Sequence, residues 1–151
     1  MFNFFRPGYV APGSQMAAAA MVAPEMQLLN ETSVSGWVNF MRDNLISGVG
    51  AFNGTVDGVV LNRRDLQRDW RAEMELATKG DALTDWVLRK LLYGQAIAAV
   101  RNELITNVNS ISVPALNADG SNLAAVNAAR RNRVNTAVLL TLAAPEFLAQ
   151  K

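Results

Sequence analysis

NLAAVNAARRNRVNTAVLLTLAA, residues 122–144, is the longest uninterrupted helical pattern in the chain. Its apolar residues recur at the spacing of one helix face. The expected inward residues are Leu123, Val126, Val134, Ala137 and Val138. Residues 139–142 are apolar on nearly all sides, so we expect the C-terminal end of this helix to be deeply buried.

Four more segments have helical periodicity, and they span residues 31–48, 64–78, 81–94 and 95–110. Thr32 or Ser33 is expected to cap the first helix, Gly48 to end it, and Asp81 to cap the third. PEFLAQK, residues 145–151, predicts a short closing helix. Pro145 cannot continue the preceding helix, but proline is favoured in the first turn of a new one.

Residues 51–62, AFNGTVDGVVLN, interrupt the helical patterns. Asn53-Gly54 and Asp57-Gly58 are turn signals beside short β-prone runs, so a small hairpin near residues 51–60 is one option. The predicted fold class is all-α, an irregular bundle of about five helices in a single domain. Residues 1–30 form an extended aromatic arm in this prediction, and residues 31–151 form the helical body.

The composition narrows the classes of function. The chain has 151 residues, no cysteine and no histidine. It therefore lacks thiolate nucleophiles, Ser-His-Asp triads and the commonest metal ligand, and any catalysis would need carboxylates, Lys, Tyr or backbone groups. We expect no catalytic, cofactor or metal site. The net charge of +1 does not indicate a nucleic-acid partner, and no apolar run is long enough to predict a membrane span.

Paired carboxylates could perform acid–base chemistry if they were buried. Glu73 with Glu75, and Asp81 with Asp85, are such pairs. We expect solvent exposure for these side chains, apart from the capping role of Asp81. The loop NADGSN, residues 117–122, is expected to be a turn that leads into the last long helix rather than a calcium loop.

Arginines and tryptophans also form groups along the chain. The arginines cluster at residues 130, 131 and 133 and at residues 63, 64, 68 and 71. Acidic residues interleave with the second cluster, so we expect a solvated, partly ion-paired surface rather than a phosphate-binding stripe. Trp37, Trp70 and Trp86 each fit the apolar period of a predicted helix, and we expect them to anchor the core.

The chain begins with MFNFFRPGYVAPGS, which is unusually aromatic for a terminus. Its aromatic side chains have no helical partner face, and Pro7-Gly8 predicts a turn. We therefore expect this arm to dock on another surface. The candidate interaction residues are Phe2, Phe4, Phe5, Arg6, Tyr9, Asn30 and Glu31.

Three stretches carry a resemblance: FNFFRPGYVAPG, MVAPEMQLLNETSVSGWVNFMR and RRNRVNTAVLLTLAAPEFLAQK. They resemble, in order, the C-terminal part of the bacterial domain-of-unknown-function 1800 family. The resemblance implies a largely helical, often exported protein, hence a periplasmic or extracellular location. It also implies a sulfatase-like exported protein as a partner. It supplies no catalytic residues. Family members continue upstream of the first motif, so the chain is expected to be a fragment.

Two functions from different classes follow from these features. The first is a non-enzymatic helical interaction module, whose arm docks on the upstream part of the full-length protein or on another protein. The second is part of an enzyme or enzyme accessory that acts on an envelope polysaccharide or on phospho- or sulfo-esters. In the second, Arg6, Tyr9, Asn30 and Glu31 would line one wall of a cleft.

Overall fold

The computed structural model describes residues 6–13, 15–22, 24–28 and 30–148. The chain is mostly helical, as predicted, but it is not all-α, because it contains one antiparallel β-hairpin. It divides into two compact units, Met1–Phe40 and Met41–Lys151. Each unit is described by itself below.

The first unit contains three helical segments after a tight turn. The turn is closed by a hydrogen bond from the Tyr9 backbone N–H to the Arg6 carbonyl, 3.0 Å, as Pro7-Gly8 predicts. The helical segments are α1 (Gln15–Ala18), a 3-10 helix (Pro24–Leu28) and the first part of α2 (Glu31–Ser47).

The start of α2 is fixed by Asn30, not by the predicted Thr32 or Ser33. The Asn30 side-chain oxygen accepts a hydrogen bond from the Ser33 backbone N–H, 2.9 Å, and the Asn30 N–H donates to the Ser33 hydroxyl, 2.9 Å. This is the reciprocal arrangement of a capping box, with Ser33 in the place usually held by Glu or Gln. The helix ends before Gly48, as predicted, and the φ of +85° at Gly48 is a conformation that favours glycine.

The second unit begins with the end of α2 and continues into the hairpin, β1 (Val49–Val56) and β2 (Val59–Leu66). The strands are joined at Asp57-Gly58, where φ is +50° and +77°. Positive φ at both central residues is what a type I′ hairpin turn requires, so this turn signal is confirmed. The other signal, Asn53-Gly54, lies within β1 and is not a turn.

The helix predicted over residues 64–78 is wrong over its first half. β2 continues to Leu66, and α3 covers only Arg71–Leu76. Cross-strand bonds hold this stretch in the hairpin: the Arg64 guanidinium donates to the Gly50 carbonyl, 2.8 Å, and the Ala51 N–H donates to the Asp65 carboxylate, 2.9 Å. Because these bonds join residues 14 apart, local helical spacing could not reveal them.

The helical body follows α3 and consists of α4 (Gly80–Leu92), α5 (Ala98–Ser110), α6 (Leu123–Ala143) and α7 (Pro145–Leu148). Helices α4, α5 and α6 pack against one another. Two clusters of buried residues form the core. The larger contains Ala77, Leu83, Val87, Val108, Val134, Ala137 and Val138, and the smaller contains Leu88, Leu92 and Leu104.

The inward face predicted for α6 is largely confirmed. Val126, Val134, Ala137 and Val138 are buried, whereas Leu123, at the start of the helix, is exposed. Near the C-terminal end, Thr141 is buried and its leucine neighbours are only half-buried, so this end is less deeply buried than expected. Pro145 begins α7, as predicted.

Arg133 is buried within the body, which contradicts the prediction of a solvated arginine surface for this residue. Its guanidinium donates to three backbone carbonyls: Ile111 at 2.7 Å, Ala77 at 3.0 Å and Thr78 at 3.3 Å. These carbonyls lie at the C-terminal ends of α5 and α3. One side chain of α6 therefore satisfies acceptors at the ends of two other helices.

We expect Arg133→Met to lower the free energy of unfolding by about 3 kcal/mol, because three backbone carbonyls, including that of buried Ala77, would lose a charged donor. Arg131→Met is the matched control, since Arg131 is exposed on the same helix. Its effect should stay within about 0.5 kcal/mol. Urea denaturation followed by circular dichroism measures both. Equal effects of the two substitutions would contradict a structural role for Arg133.

The C-terminal end of α4 contains a strained tyrosine. Tyr93 has φ +52° and is 83% exposed, and the next residue, Gly94, donates its N–H to the Leu88 carbonyl, 3.4 Å. Left-handed backbone costs about 1 kcal/mol for a residue with a Cβ atom. Because the Tyr93 side chain is exposed, it gains little free energy from burial that could offset this cost.

We therefore expect Tyr93→Gly to raise the free energy of unfolding by about 1 kcal/mol. Tyr93→Ala removes the same aromatic ring but keeps the Cβ atom, so it should give no comparable gain. Thermal and urea denaturation of both variants provide the measurement. A gain of the same size for alanine would show that the ring, and not the backbone conformation, is responsible.

Candidate functional site

Buried and exposed apolar residues are separated along the chain. Among the described residues, every buried hydrophobic side chain lies between Ala77 and Ala144. Of the fifteen large hydrophobic residues that are exposed in the described part of the chain, eleven lie between Met21 and Leu66. The helical body therefore has its own core, whereas the preceding segments present apolar side chains to solvent.

Most of one face of the hairpin is apolar, and we call Val49, Phe52, Val59 and Leu66 the hairpin apolar face. Arg64, the cross-strand partner of Phe52, lies on the same face. Val49 pairs with Leu66, and Val59 pairs with Val56, which lies four positions after Phe52 in β1. A one-residue register shift between Val49 and Phe52 keeps their side chains on the same side of the sheet. Phe52 is 63% and Leu66 67% exposed, and the two valines are exposed as well.

The strands of the hairpin do not pack on the helical body of the second unit. Among the described residues, β1 and β2 pair only with each other, and none of the helices α3 to α7 makes more than marginal contact with either strand. A two-stranded sheet alone is at best marginally stable in water. An apolar face without cover, on a hairpin without a third strand, is the feature of this structure that most indicates a docking surface.

The neck of the hairpin is held to the end of α2 by polar side chains. Gln67 donates to the Ser47 carbonyl at 3.3 Å, and the Arg68 guanidinium donates to the Ile46 carbonyl at 2.9 Å. A Cβ atom on Gly48 would clash with the Leu66 backbone carbonyl oxygen, so only glycine allows the end of α2 and the end of β2 to approach this closely. These contacts fix the base of the hairpin and leave its apolar face open.

The aromatic candidates of the arm, Phe2, Phe4 and Phe5, lie outside the described residues. Arg6 is exposed and Tyr9 is half-buried in the turn described above. The Gln27 side-chain amide donates to the Arg6 carbonyl at 3.5 Å, which brings the turn close to the 3-10 helix within the first unit.

The other two candidates of the predicted cleft belong to the start of α2. The Asn30 side chain is used as the helix cap. Glu31 is the first residue of α2, and its side chain lies outside the described part of the chain. The Asn30 amide oxygen therefore accepts the capping hydrogen bond of α2, and this structural role accounts for the residue without a ligand.

The Glu73 carboxylate is the most buried charge of the second unit, at 2% exposure, which contradicts the expected solvent exposure. Glu75, on the same helix, is exposed, so the predicted pair is not brought together. One oxygen of Glu73 accepts hydrogen bonds from the Trp86 indole at 2.8 Å and from the Lys90 ammonium at 2.9 Å. The Lys90 ammonium also lies 5.0 Å from the centre of the Trp86 ring.

Burial by itself would raise the pKa of Glu73, but the hydrogen bonds from Lys90 and Trp86 outweigh it and hold the pKa below the ordinary value. The group is a salt bridge that attaches α3 to α4. Trp86 thus serves as a hydrogen-bond donor to Glu73. Trp70 packs against the larger core cluster, as predicted.

Asp81 and Asp85 both join α4 to α5. The Asp85 carboxylate forms a bidentate pair with the Arg101 guanidinium, at 2.6 and 2.8 Å, and this pairing lowers the pKa of Asp85. Asp81 accepts a hydrogen bond from the Asn109 side chain at 2.8 Å. It is not the predicted cap, because α4 begins at Gly80 with Lys79 at the cap position.

Two exposed carboxylates have lowered pKa values for local reasons. The Arg71 side chain and backbone donate to Asp69 and lower the pKa of that carboxyl to about 2. The Ser121 backbone N–H donates to Asp119 at 3.0 Å and lowers its pKa too. Asn122 donates to the Ala115 carbonyl at 2.7 Å, so hydrogen bonds within the loop account for the NADGSN sequence.

These carboxylates share one electrostatic property. Each has a pKa below its ordinary value, because a protein donor stabilises the charged form. They are therefore ionised at neutral pH and are not poised to exchange protons there. Within the described residues, no group of three acidic side chains could hold a metal ion.

Comparison of the chain with protein-family models, with curated proteins and with solved structures found no match. None of the described helices has the length and apolar character needed to cross a membrane.

We expect Glu73→Gln to lower the free energy of unfolding by about 1.5 kcal/mol at pH 7, because the charged acceptor of Lys90 is lost. The pKa of Glu73 is lower in the folded state, so its stabilising contribution is complete above the unfolded pKa and disappears as pH falls through the folded value. The difference between wild type and variant should therefore shrink below about pH 4. Glu75→Gln is the matched control and should show little difference at any pH. Urea denaturation across pH provides the measurement, and a constant difference for Glu73→Gln would contradict the proposed ion pair.

Proposed function

We propose that this chain is a non-enzymatic interaction module, in which the helical body supports a hairpin that docks on a protein partner. The observation that carries the proposal is the exposure of the hairpin apolar face, Val49, Phe52, Val59 and Leu66. Burial of each such side chain against a partner would contribute about 1.5 kcal/mol. A monomer in solution gains nothing from presenting these side chains together.

The stability of the body is consistent with this division of roles. The buried residues of the core clusters, the Arg133 hydrogen bonds and the Glu73 ion pair all lie within residues 73–144, and Leu45 and Trp70, on either side of the hairpin, pack against the larger cluster. None of them uses a side chain of the hairpin. The hairpin is therefore free to change its contacts on binding without loss of the core.

The partner and the setting follow from the resemblance to the domain-of-unknown-function 1800 family. We propose that the chain is the C-terminal portion of an exported bacterial protein of this kind, an irregular bundle with an aromatic N-terminal arm. The partner surface would then belong to the upstream part of that protein or to a sulfatase-like exported protein. The arm from Phe2 to Tyr9 would be a second docking element.

The alternative, a wall of an enzyme cleft, gains no support from the described contacts. Asn30 caps α2, and the carboxylates with lowered pKa values are engaged by donors of the protein. Acid–base catalysis near neutral pH would instead need a group whose pKa lies near 7.

Photo-crosslinking tests the docking surface directly. We expect p-benzoylphenylalanine in place of Phe52 to form a discrete protein adduct in cells that express the full chain. The control carries the same group in place of Leu116, which is similarly exposed but lies on the loop between α5 and α6. Mass spectrometry identifies the adduct. Absence of an adduct at Phe52, or equal labelling at Leu116, would contradict the proposal.

A further inference from the structure

The outer edge of β1 lacks a partner strand among the described residues. β1 pairs with β2 on one side only, and no third strand joins the sheet from residues 6–13, 15–22, 24–28 or 30–148. An open strand edge presents alternating N–H and C=O groups, and another extended backbone is the partner that satisfies them in register. The edge therefore specifies an extended strand as its occupant.

The two edges of the hairpin differ in charge. β1, VGAFNGTV, contains no charged residue and no proline. β2, VVLNRRDL, contains Arg63, Arg64 and Asp65. Charged residues and prolines are the usual protection of an edge strand against pairing with another chain. β2 carries such charges and β1 does not. In β1 the register shift after Val49, and the bonds of Gly50 and Ala51 to Arg64 and Asp65, protect the first part of the strand and leave residues 52–56 as the open edge.

We propose that two copies of this chain pair through β1, antiparallel about a two-fold axis, into a four-stranded sheet. This inference rests on the proposed function and names the partner of the hairpin edge. In such a sheet the uncharged β1 strands are central and pair through residues 52–56, and the two β2 strands with their charges form the outer edges. This difference in charge suits a closed dimer. The uncharged β1 edges can pair with each other, and the charged β2 edges discourage the addition of more strands to the sheet.

Other features are compatible with a second copy as the occupant. Two β1 strands bring no like charges together in any antiparallel register, whereas two β2 strands would bring Arg63 and Arg64 close to their own copies. The formal net charge of the chain is only +1, so long-range repulsion between copies is small. Four strands also exceed the three that a sheet needs for stability of its own.

Thr55 and Val60 offer a matched pair of positions for the test. They are cross-strand partners next to the turn pair Val56–Val59. The pair that flanks a two-residue turn is hydrogen-bonded, and bonded and non-bonded pairs alternate along the ladder. The Thr55 N–H is therefore directed to the outer edge of β1, and the Val60 N–H to the outer edge of β2.

Proline at either position removes one outward donor without removing a bond of the hairpin. We expect the wild-type chain to form dimers in sedimentation velocity and multi-angle light scattering. Thr55→Pro should raise the dimer dissociation constant by at least about tenfold, and Val60→Pro should leave it unchanged within about twofold. Circular dichroism verifies that both variants retain the helical content of the wild type.

Thr55→Lys and Val60→Lys repeat the comparison without altering the backbone, in case proline disrupts the hairpin. A lysine on β1 should weaken the dimer, and a lysine on β2 should not. A monomeric wild-type chain, or equal effects at the two positions, would overturn the proposal. A monomer whose Phe52 position still crosslinks to a different protein would overturn the dimer and leave the proposed function standing.

Discussion

The buried guanidinium of Arg133 is the interaction on which the rest of the helical body depends. It donates from α6 to carbonyls at the ends of α3 and α5, at 2.7 to 3.3 Å. Helix ends leave their last carbonyls without partners, and a cation is the donor that such ends favour.

The structure combines a closed core with an open hairpin. Within the described residues, the buried core residues and the ion pairs of Glu73 and Asp85 lie after residue 72, whereas the hairpin leaves its apolar side chains exposed and has an uncharged strand at one edge. Each part has a different physical requirement. The body satisfies its buried polar groups internally, and the hairpin can bury its apolar side chains only against something else. Docking by the hairpin is therefore the function that the contacts favour.

The sequence predicted elements whose contacts are local and missed those that depend on distant partners. The face of α6 and the end of α2 at Gly48 follow from periodicity and glycine conformation. Leu66, Trp70 and Met74 have helical spacing too, but the first part of this segment belongs to β2, where Arg64 donates to the Gly50 carbonyl and Asp65 accepts from the Ala51 N–H. The burial of Arg133 could have been predicted, because Arg133 lies seven residues after Val126 and four before Ala137, on the inward face of α6.

The burial of Glu73 could not have been predicted, since it depends on Trp86 and Lys90 of another helix.

Native-state hydrogen exchange tests the division between body and hairpin most directly, at a protein concentration low enough to keep the chain monomeric. We expect backbone amides of α4 and α6 to exchange only through global unfolding. Amides of β1 and β2 should exchange through a local opening that requires at least about 2 kcal/mol less free energy. Hairpin amides as strongly protected as those of α4 would show that the hairpin is part of the cooperative core, and would contradict its role as an independent docking element.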